Sequence, residues 1–192
     1  MLCIPRAGQE DKFLERQRLW NDAMTAAGCA QAFLGRRDGE VRVYTVWPSL
    51  ASLQTFAKTG ELELTRRAPA TQLLLRMQVR QSDVLAAFAP EPAPAAPLKD
   101  AALYVVTYLV RDGARAQAVA RLKARSAALA RTAGFAGGEL TADRADPRRL
   151  VLAARFTGDA ALAGWRDGGE RTADMETPLA ELLTSTETAT YA

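Results

Sequence analysis

The sequence predicts an α+β fold of two tandem βαββαβ domains that pack sheet to sheet as an intrachain α/β barrel. Both halves of the 192-residue chain show the same order of strand and helix patterns. Apolar residues of the two halves recur at a nearly constant offset, which is typical of a duplication. A proline-rich segment separates the halves, with prolines at Pro90, Pro92, Pro94 and Pro97.

These observations predict three regions along the chain. We expect a first domain at residues 1–88, a Pro/Ala-rich linker at residues 89–100 and a second domain at residues 101–192. Alternating proline and alanine favours an extended, semi-rigid linker.

In the first half, a short apolar start precedes a helix predicted over Gln9–Ala26. Its apolar stripe has helical spacing and includes one amide, with charged residues such as Glu15 and Arg16 largely on the other faces. Gly28 fits a helix stop. The strand Val41–Trp47, a short helix capped by Ser49 and the strand Thr71–Arg80 follow. The stripe consists of Phe13, Leu14, Gln17, Trp20 and Met24.

In the second half, the pattern begins with the strand Leu103–Val110 and a helix over Ala114–Arg131, which ends near Gly134. The strand Leu150–Phe156 precedes a second short helix. A further helix over Met175–Leu183 and the strand Ser185–Tyr191 complete this half.

Pairs of residues relate the two halves. Gly28 and Gly134 differ by 106 positions, whereas Trp47 with Phe156 and Phe56 with Trp165 each differ by 109. A three-residue insertion in the second hairpin explains the change of offset. Divergent duplication predicts this pattern, and chance alignment of two amphipathic patterns is the alternative.

The order β-α-β-β-α-β predicts a ferredoxin-like unit, with a four-stranded antiparallel sheet and helices on one face. Two such sheets can cover each other's open faces, which gives the duplication a physical purpose.

Composition excludes several partners. The 25 Lys+Arg and 22 Asp+Glu residues are spread along the chain, and no basic block alternates with aromatics, so we expect no nucleic-acid partner. The longest apolar runs are far shorter than the roughly 20 residues of a membrane span, so we expect no membrane partner. Without an apparent leader, a cytoplasmic protein is expected.

The chain contains no histidine and two cysteines. Histidine is the commonest general base and metal ligand, so Ser-His-Asp triads and His-built metal sites are excluded. Cys3 and Cys29 are too few for a disulfide framework. A metal site built on carboxylates alone is the alternative that remains, but the acidic residues show no tight spacing that favours one. We expect neither a metal site nor a cofactor.

The first half resembles the dimeric α/β-barrel superfamily that includes antibiotic-biosynthesis monooxygenases, in particular its YdbC-like branch. The resemblance covers about residues 1–85. The second half is a looser match, through Gly134-Phe135, Phe156 and Trp165. Members of the branch usually carry a His-Asp pair after the second helix, where this chain has Lys58–Glu61. The first-half motifs are Phe13-x3-Gln17-x2-Trp20, Gly28, Gly35, Trp47 and Phe56.

The resemblance implies a pocket between sheet and helices, in which related oxygenases oxidise aromatic polyketides without metal or flavin. Candidates for charge stabilisation, amide contacts and proton relay are Gln17, Asn21, Tyr44 and Arg76. Candidates for substrate binding are Phe13, Trp20, Trp47, Tyr104, Tyr108, Arg155 and Trp165. The structural alternatives are that Gln17 ties the helix to a strand end, that the tryptophans simply pack in the core, and that the arginines are solvated charges at strand edges.

The sequence thus predicts a cofactor-independent monooxygenase acting on a small hydrophobic, aromatic secondary metabolite. The alternatives are a non-redox cyclase or isomerase of a biosynthetic pathway, or a non-catalytic small-molecule-binding or scaffold protein. A small-molecule substrate is the expected partner, and a homodimer is possible.

Overall fold

The computed structural model describes residues 1–67, 72–90, 101–167 and 177–191. The chain divides into two compact units, Met1–Val79 and Arg80–Ala192.

The first unit has a four-stranded antiparallel sheet and two helices. Its strand order is β2-β3-β1-β4, as in a ferredoxin-like fold. In chain order the elements are β1 (Leu2–Pro5), α1 (Glu10–Ala26), β2 (Gln31–Arg37), β3 (Glu40–Val46), α2 (Leu50–Arg67) and β4 (Leu74–Gln78).

The second unit has a five-stranded antiparallel sheet in the order β5-β7-β8-β6-β9. Its last four strands repeat the order of the first sheet, so the predicted α+β class with ferredoxin-like topology is confirmed. The elements are β5 (Ser82–Phe88), β6 (Ala102–Val110), α3 (Arg115–Leu129), β7 (Phe135–Asp143), β8 (Arg149–Phe156), α4 (Asp159–Asp167), α5 (Thr177–Ala180) and β9 (Leu183–Tyr191).

Strand β5 differs from the expected organisation, in which the first domain extends to residue 88. It pairs antiparallel with β7, from Ser82 opposite Asp143 to Phe88 opposite Gly138. Phe88 also packs against the core of the second unit. The periodicity of a strand predicts extended backbone but not which sheet the strand joins. The sequence therefore did not reveal that β5 is a fifth strand of the second sheet. Of the expected linker, residues 91–100 lie outside the described residues.

Strand β4 also differs from expectation. Simple alternation predicts that Leu75, Met77 and Val79 face the core, but their exposed fractions are 69%, 55% and 60%. The pairing of β1 with β4 shifts register between Ile4 and Pro5, and Leu74 is buried instead. A bulge of this kind inserts one residue and breaks the period of two, which accounts for Leu74 and Leu75. Met77 lies opposite the buried Cys3 and is exposed on the edge strand of the sheet.

Helix α2 is longer than the short helix that we expected. Ser49 caps it as predicted, since its Oγ accepts a hydrogen bond from the backbone N–H of Ser52 at 3.1 Å. Lys58–Glu61, which we expected to follow this helix, lies within it. No helix in the described part of the chain is both long and apolar enough to cross a membrane.

Candidate functional site

Three aromatic side chains of the first unit meet between the sheet and the helices. The rings of Trp47 and Phe56 have centroids 5.3 Å apart, and Trp20 meets Phe56 edge to face at 6.4 Å. Met24 and Cys29 are buried against them. We call Trp20, Trp47 and Phe56 the indole cluster.

The indole cluster has two hydrogen-bonding groups that find no partner in the described part of the chain. The Nε1 atoms of Trp20 and Trp47 are buried, and neither has an acceptor among the described residues. Buried polar groups in native proteins are nearly always hydrogen-bonded, and a buried group without a partner costs roughly 1–3 kcal/mol. Two such N–H groups in one cluster are therefore consistent with a ligand that accepts from them.

A buried amide lies on the same helix. Gln17 is 1% exposed, and its Nε2 donates to Oδ1 of Asn21 at 3.3 Å. Its Oε1 is buried and has no donor among the described residues. The structure thus brings together two predicted site residues and leaves one carbonyl oxygen available to a ligand hydroxyl.

Arg16 is a residue that the sequence analysis missed, because we placed it among the charged residues outside the helical stripe. It is only 8% exposed, and its Cζ lies 4.7 Å from the centroid of the Trp20 ring. Burial lowers the pKa of Arg16, and the nearby Cys3 opposes that shift. The i, i+4 spacing from Arg16 to Trp20 was the available signal, since such pairs meet on a helix surface.

Phe13 does not join the indole cluster. It is fully buried in a neighbouring cluster that includes Cys3, Leu14 and Val41. Burial raises the pKa of Cys3 to about 11, although the N-terminal amine and Arg16 lower it. The thiol is therefore protonated at neutral pH.

Tyr44 and Arg76 lie away from these groups. Cys3, which packs against Phe13, is opposite Val41, so Val41 faces the helices and the next residue, Arg42, faces the other way. By the same alternation Tyr44 faces away from the helices, and it is half-buried. Arg76 pairs with Ile4, a neighbour of Cys3 on the opposite face, and it is exposed.

The predicted binding residues of the second unit form a filled core. Trp165 meets Tyr104 edge to face at 5.0 Å and Phe156 at 5.3 Å, and all three residues are buried. Tyr108 belongs to the same core.

Arg155 is held by an ion pair. Its Nη1 and Nη2 each lie 2.7 Å from a carboxylate oxygen of Glu139, and both residues are buried. Its charge is therefore neutralised within the second unit, which disfavours the predicted role in substrate binding.

The helices α1 and α3 allow a direct comparison of the two units. Three pairs of their buried residues are each 105 positions apart: Phe13 with Ala118, Gln17 with Leu122 and Met24 with Leu129. At the position of Gln17, the second unit has a fully buried leucine. An apolar side chain therefore satisfies the packing at this position of the second unit, and packing alone does not require the amide of Gln17.

Comparison with known proteins supports the fold. A putative monooxygenase from Fusobacterium nucleatum aligns with a TM-score of 0.80 at 12% identity, covering 99% of this chain and 88% of that one. A putative monooxygenase from Lactobacillus acidophilus aligns with a TM-score of 0.71 at 12% identity, covering 100% and 90%. An anthrone oxidase-like protein aligns with a TM-score of 0.66 at 14% identity, covering 99% and 87%. No curated protein matches the sequence.

The family model that matches is named antibiotic biosynthesis monooxygenase and covers residues 102–176. The match therefore falls in the second half, although we judged the first half the closer resemblance. The second unit carries α3 and α4 over the strands β7, β8, β6 and β9. Residues 102–176 of this chain thus resemble the antibiotic biosynthesis monooxygenase family, and the described strands and helices of the second unit have a ferredoxin-like topology.

Proposed function

We propose that the protein is a cofactor-independent monooxygenase whose first unit binds a small hydroxylated aromatic metabolite at the indole cluster. The observation that carries the proposal is a group of three buried polar atoms that have no hydrogen-bond partner among the described residues: Oε1 of Gln17 and Nε1 of Trp20 and Trp47. An aromatic ligand packs on the indole rings, while its oxygen atoms use these three groups.

We also propose that the two units arose by duplication, after which the second unit lost the site. The pair Trp47–Phe56 has a centroid distance of 5.3 Å and an interplanar angle of 34°. The pair Phe156–Trp165, offset by 109 positions, has 5.3 Å and 30°. The ring types are exchanged while the geometry is kept, which supports common ancestry.

In the bound complex, each polar group has a distinct role. Oε1 of Gln17 accepts a hydrogen bond from a ligand hydroxyl, and Asn21 fixes that amide through Nε2 of Gln17. The indole N–H groups donate to a second ligand oxygen, on which negative charge develops when the substrate loses a proton. The apolar surroundings of Met24 and Phe56 limit access of water.

The reaction uses the substrate as the source of electrons. An anthrone-like substrate loses one proton from its CH₂ carbon, and the resulting carbanion transfers one electron to O₂. Recombination of the radical with superoxide forms a C–O bond, and protonation gives a hydroperoxide. Loss of the second C–H proton and cleavage of the O–O bond then yield a ketone and water. One oxygen atom enters the product and the other enters water.

The comparisons support this class of reaction at the level of the fold. Residues 102–176 match a family described as antibiotic biosynthesis monooxygenase, and one structure of similar fold is described as anthrone oxidase-like. A heme-degrading enzyme from Listeria monocytogenes also has a similar fold, with a TM-score of 0.55 at 8% identity. One fold therefore serves different substrates, and the proposal depends on the groups of the indole cluster.

Oxygen uptake by the purified protein tests the proposal with anthrones and hydroquinones. We expect consumption above the rate of autoxidation in buffer, and ¹⁸O₂ should label one product oxygen. Gln17→Leu should reduce the rate, because the ligand hydroxyl loses its acceptor. Trp165→Phe in the second unit is the matched control and should retain the rate.

Other outcomes separate the alternatives. Conversion of a substrate without oxygen indicates a cyclase or isomerase. Saturable binding without conversion indicates a binding or scaffold protein. Neither oxygen uptake nor saturable binding across the panel contradicts the proposal as a whole.

A further inference from the structure

We infer that Gly60 determines which aromatic ligands the indole cluster admits, because it leaves free the space in which the ring of Phe56 lies. Gly60 acts through Phe56, so it is a positioning residue. The inference rests on the proposed function, since it concerns the same cluster, and it adds a residue that selects the ligand by the size of its ring system. It also gives a role to the segment Lys58–Glu61 of α2, which the proposed reaction does not use.

Gly60 lies about one helical turn after Phe56, within α2. Residues four positions apart share one face of a helix, so Gly60 lies on the face that carries the Phe56 side chain. A Cβ at residue 60 would lie 2.6 Å from Cε2 and 2.7 Å from Cδ2 of the Phe56 ring. Carbon atoms in contact are normally about 3.5–4.0 Å apart. The ring therefore occupies space that a larger residue at position 60 would take.

The helix itself gives no reason for a glycine at this position. Gly60 lies inside α2 and does not have a positive φ, so alanine fits its backbone conformation. Alanine is also favoured over glycine in a helix interior, because glycine loses more conformational freedom on folding. The close approach of the Phe56 ring is the feature that accounts for the glycine.

Phe56 is the ring that both indoles contact. Its centroid lies 5.3 Å from that of Trp47, and it meets Trp20 edge to face at 6.4 Å. The Nε1 atoms of these two indoles are buried and have no acceptor in the described part of the chain. A ligand that accepts from them therefore binds close to the Phe56 ring, and the position of this ring limits the room for the ligand.

A methyl group at residue 60 would move the Phe56 ring toward Trp47. Trp47 precedes α2, which begins at Leu50, whereas Gly60 lies on the C-terminal side of Phe56. A ring that moves along the helix away from residue 60 therefore moves toward the end of α2 that Trp47 precedes. Phe56 is only 7% exposed, and its ring already contacts Trp47 at an interplanar angle of 34°. The displacement thus takes space from the indole cluster.

Two matched probes test the inference without turnover. 4-Nitrophenol has one aromatic ring, whereas 4-nitro-1-naphthol carries the same two groups on two fused rings. Isothermal titration calorimetry gives the dissociation constant of each probe, at a pH at which both keep their hydroxyl proton. The parent chain should bind both probes saturably.

The substitution Gly60→Ala should shift the preference toward the smaller probe. We expect binding of 4-nitro-1-naphthol to weaken about tenfold, as for one methylene in an apolar pocket, and that of 4-nitrophenol by less than about twofold. Gly164→Ala is the matched control, because it adds the same methyl group to a helix glycine where a Cβ meets nothing within 4 Å. It should leave both constants unchanged, and near-ultraviolet circular dichroism of each variant should match the parent.

A second substitution assigns the shift to the contact with Phe56. Phe56→Leu removes the ring atoms that a Cβ at residue 60 would meet, so the preference should move toward the larger probe. Gly60→Ala added to Phe56→Leu should then leave the preference unchanged, since the two positions are coupled only through that contact. This pair of variants tests the inference even where Gly60→Ala alone does not fold.

The inference is overturned if Gly60→Ala weakens both probes equally, if it leaves the preference of the parent unchanged, or if its effect persists in the Phe56→Leu chain. Failure of the parent to bind either probe overturns it together with the proposed site. The expected shift without oxygen uptake contradicts only the monooxygenase function. Oxygen uptake that depends on Gln17, with an unchanged preference in Gly60→Ala, contradicts only the role of Gly60.

Discussion

The guanidinium of Arg155 and the carboxylate of Glu139 form a bidentate ion pair on neighbouring strands, with both N–O distances at 2.7 Å. Both residues are buried, at 8% and 2% exposure. Gly137 lies opposite Arg155 in the ladder and has no Cβ; a Cβ there would lie 3.0 Å from Nη2 of Arg155. The ion pair therefore depends on both charged side chains and on the space that Gly137 leaves beside Arg155.

Removing one partner should strongly destabilise the second unit. Glu139→Ala leaves the buried guanidinium without its carboxylate, and we expect the free energy of unfolding to fall by about 3–5 kcal/mol. Urea unfolding, followed by Trp165 fluorescence with Trp20 and Trp47 replaced by Phe, measures this. The double variant Glu139→Leu/Arg155→Met should recover most of the loss, since no charge remains buried. A loss below about 1 kcal/mol for Glu139→Ala would contradict this account.

Two glycines of the second unit should respond in opposite directions to alanine. Gly137 has φ +128, and a Cβ at this residue would contact Arg155. Gly137→Ala should therefore lower the free energy of unfolding by about 1–3 kcal/mol, the usual cost of such backbone strain. Gly164 lies in α4, where a Cβ meets nothing within 4 Å. Gly164→Ala should stabilise by up to about 1 kcal/mol, because alanine favours the helix. The same urea assay compares them, and equal effects of the two variants contradict the prediction.

Asp143 should make the second unit sensitive to acid. Burial by itself raises the pKa of this carboxyl, but the hydrogen bond from Arg80 at 2.8 Å and those from the N–H groups of Ala145 and Asp146 outweigh it, and the pKa lies below 3.8. A lowered folded-state pKa contributes stability that is fully present above pH 3.8 and lost as the pH falls through the folded value.

Unfolding measured from about pH 6 down to about pH 2 tests that contribution. In Asp143→Asn the acid-dependent loss of stability should be smaller than in the parent protein. Asp167→Asn, at an exposed carboxylate that pairs with its neighbour Arg166, should behave like the parent. Identical pH profiles for all three proteins would rule out the role of Asp143.

Most of the fold could be predicted because each element has a local signal. Helix α1 follows from its apolar spacing, and Ser49 marks the start of α2. The assignment of β5 to the second sheet depends on long-range pairing with β7, which no local pattern encodes. The bulge opposite Ile4 and Pro5 likewise depends on the pairing of two strands, so alternation in β4 predicted Leu75, and not Leu74, as the buried residue.

The candidate site was predicted only in part. Gln17, Trp20 and Trp47 were found because an amide interrupts an apolar stripe that carries indoles. Arg16 was missed, because a charged residue beside the stripe is usually solvated, and only its contact with the Trp20 ring reveals its burial. Tyr44 and Arg76 were chosen because tyrosine and arginine often act in catalysis, but strand alternation places both side chains on the other face of the sheet.

Gln17 should carry a cost in stability that its binding role explains. Its Oε1 is buried without a donor, whereas the matched residue of the second unit is Leu122, which is fully buried. Gln17→Leu removes the unpartnered carbonyl and should raise the free energy of unfolding of the first unit by about 1–3 kcal/mol, despite loss of the 3.3 Å bond to Asn21. The same change should weaken binding of a hydroxylated aromatic probe such as 4-nitrophenol, as expected when a group is retained for function.

Urea unfolding of a Trp165→Phe chain reports on the first unit through Trp20 and Trp47, and gives the stability change directly. Gln17→Ala is the control, because it removes the amide but leaves a cavity, and it should destabilise the unit. If Gln17→Leu destabilises the protein as much as Gln17→Ala does, then the amide is a structural tie between helix and sheet. If Gln17→Leu raises the free energy of unfolding and also binds the probe less tightly, then Gln17 lowers the stability of the first unit and serves to bind the ligand.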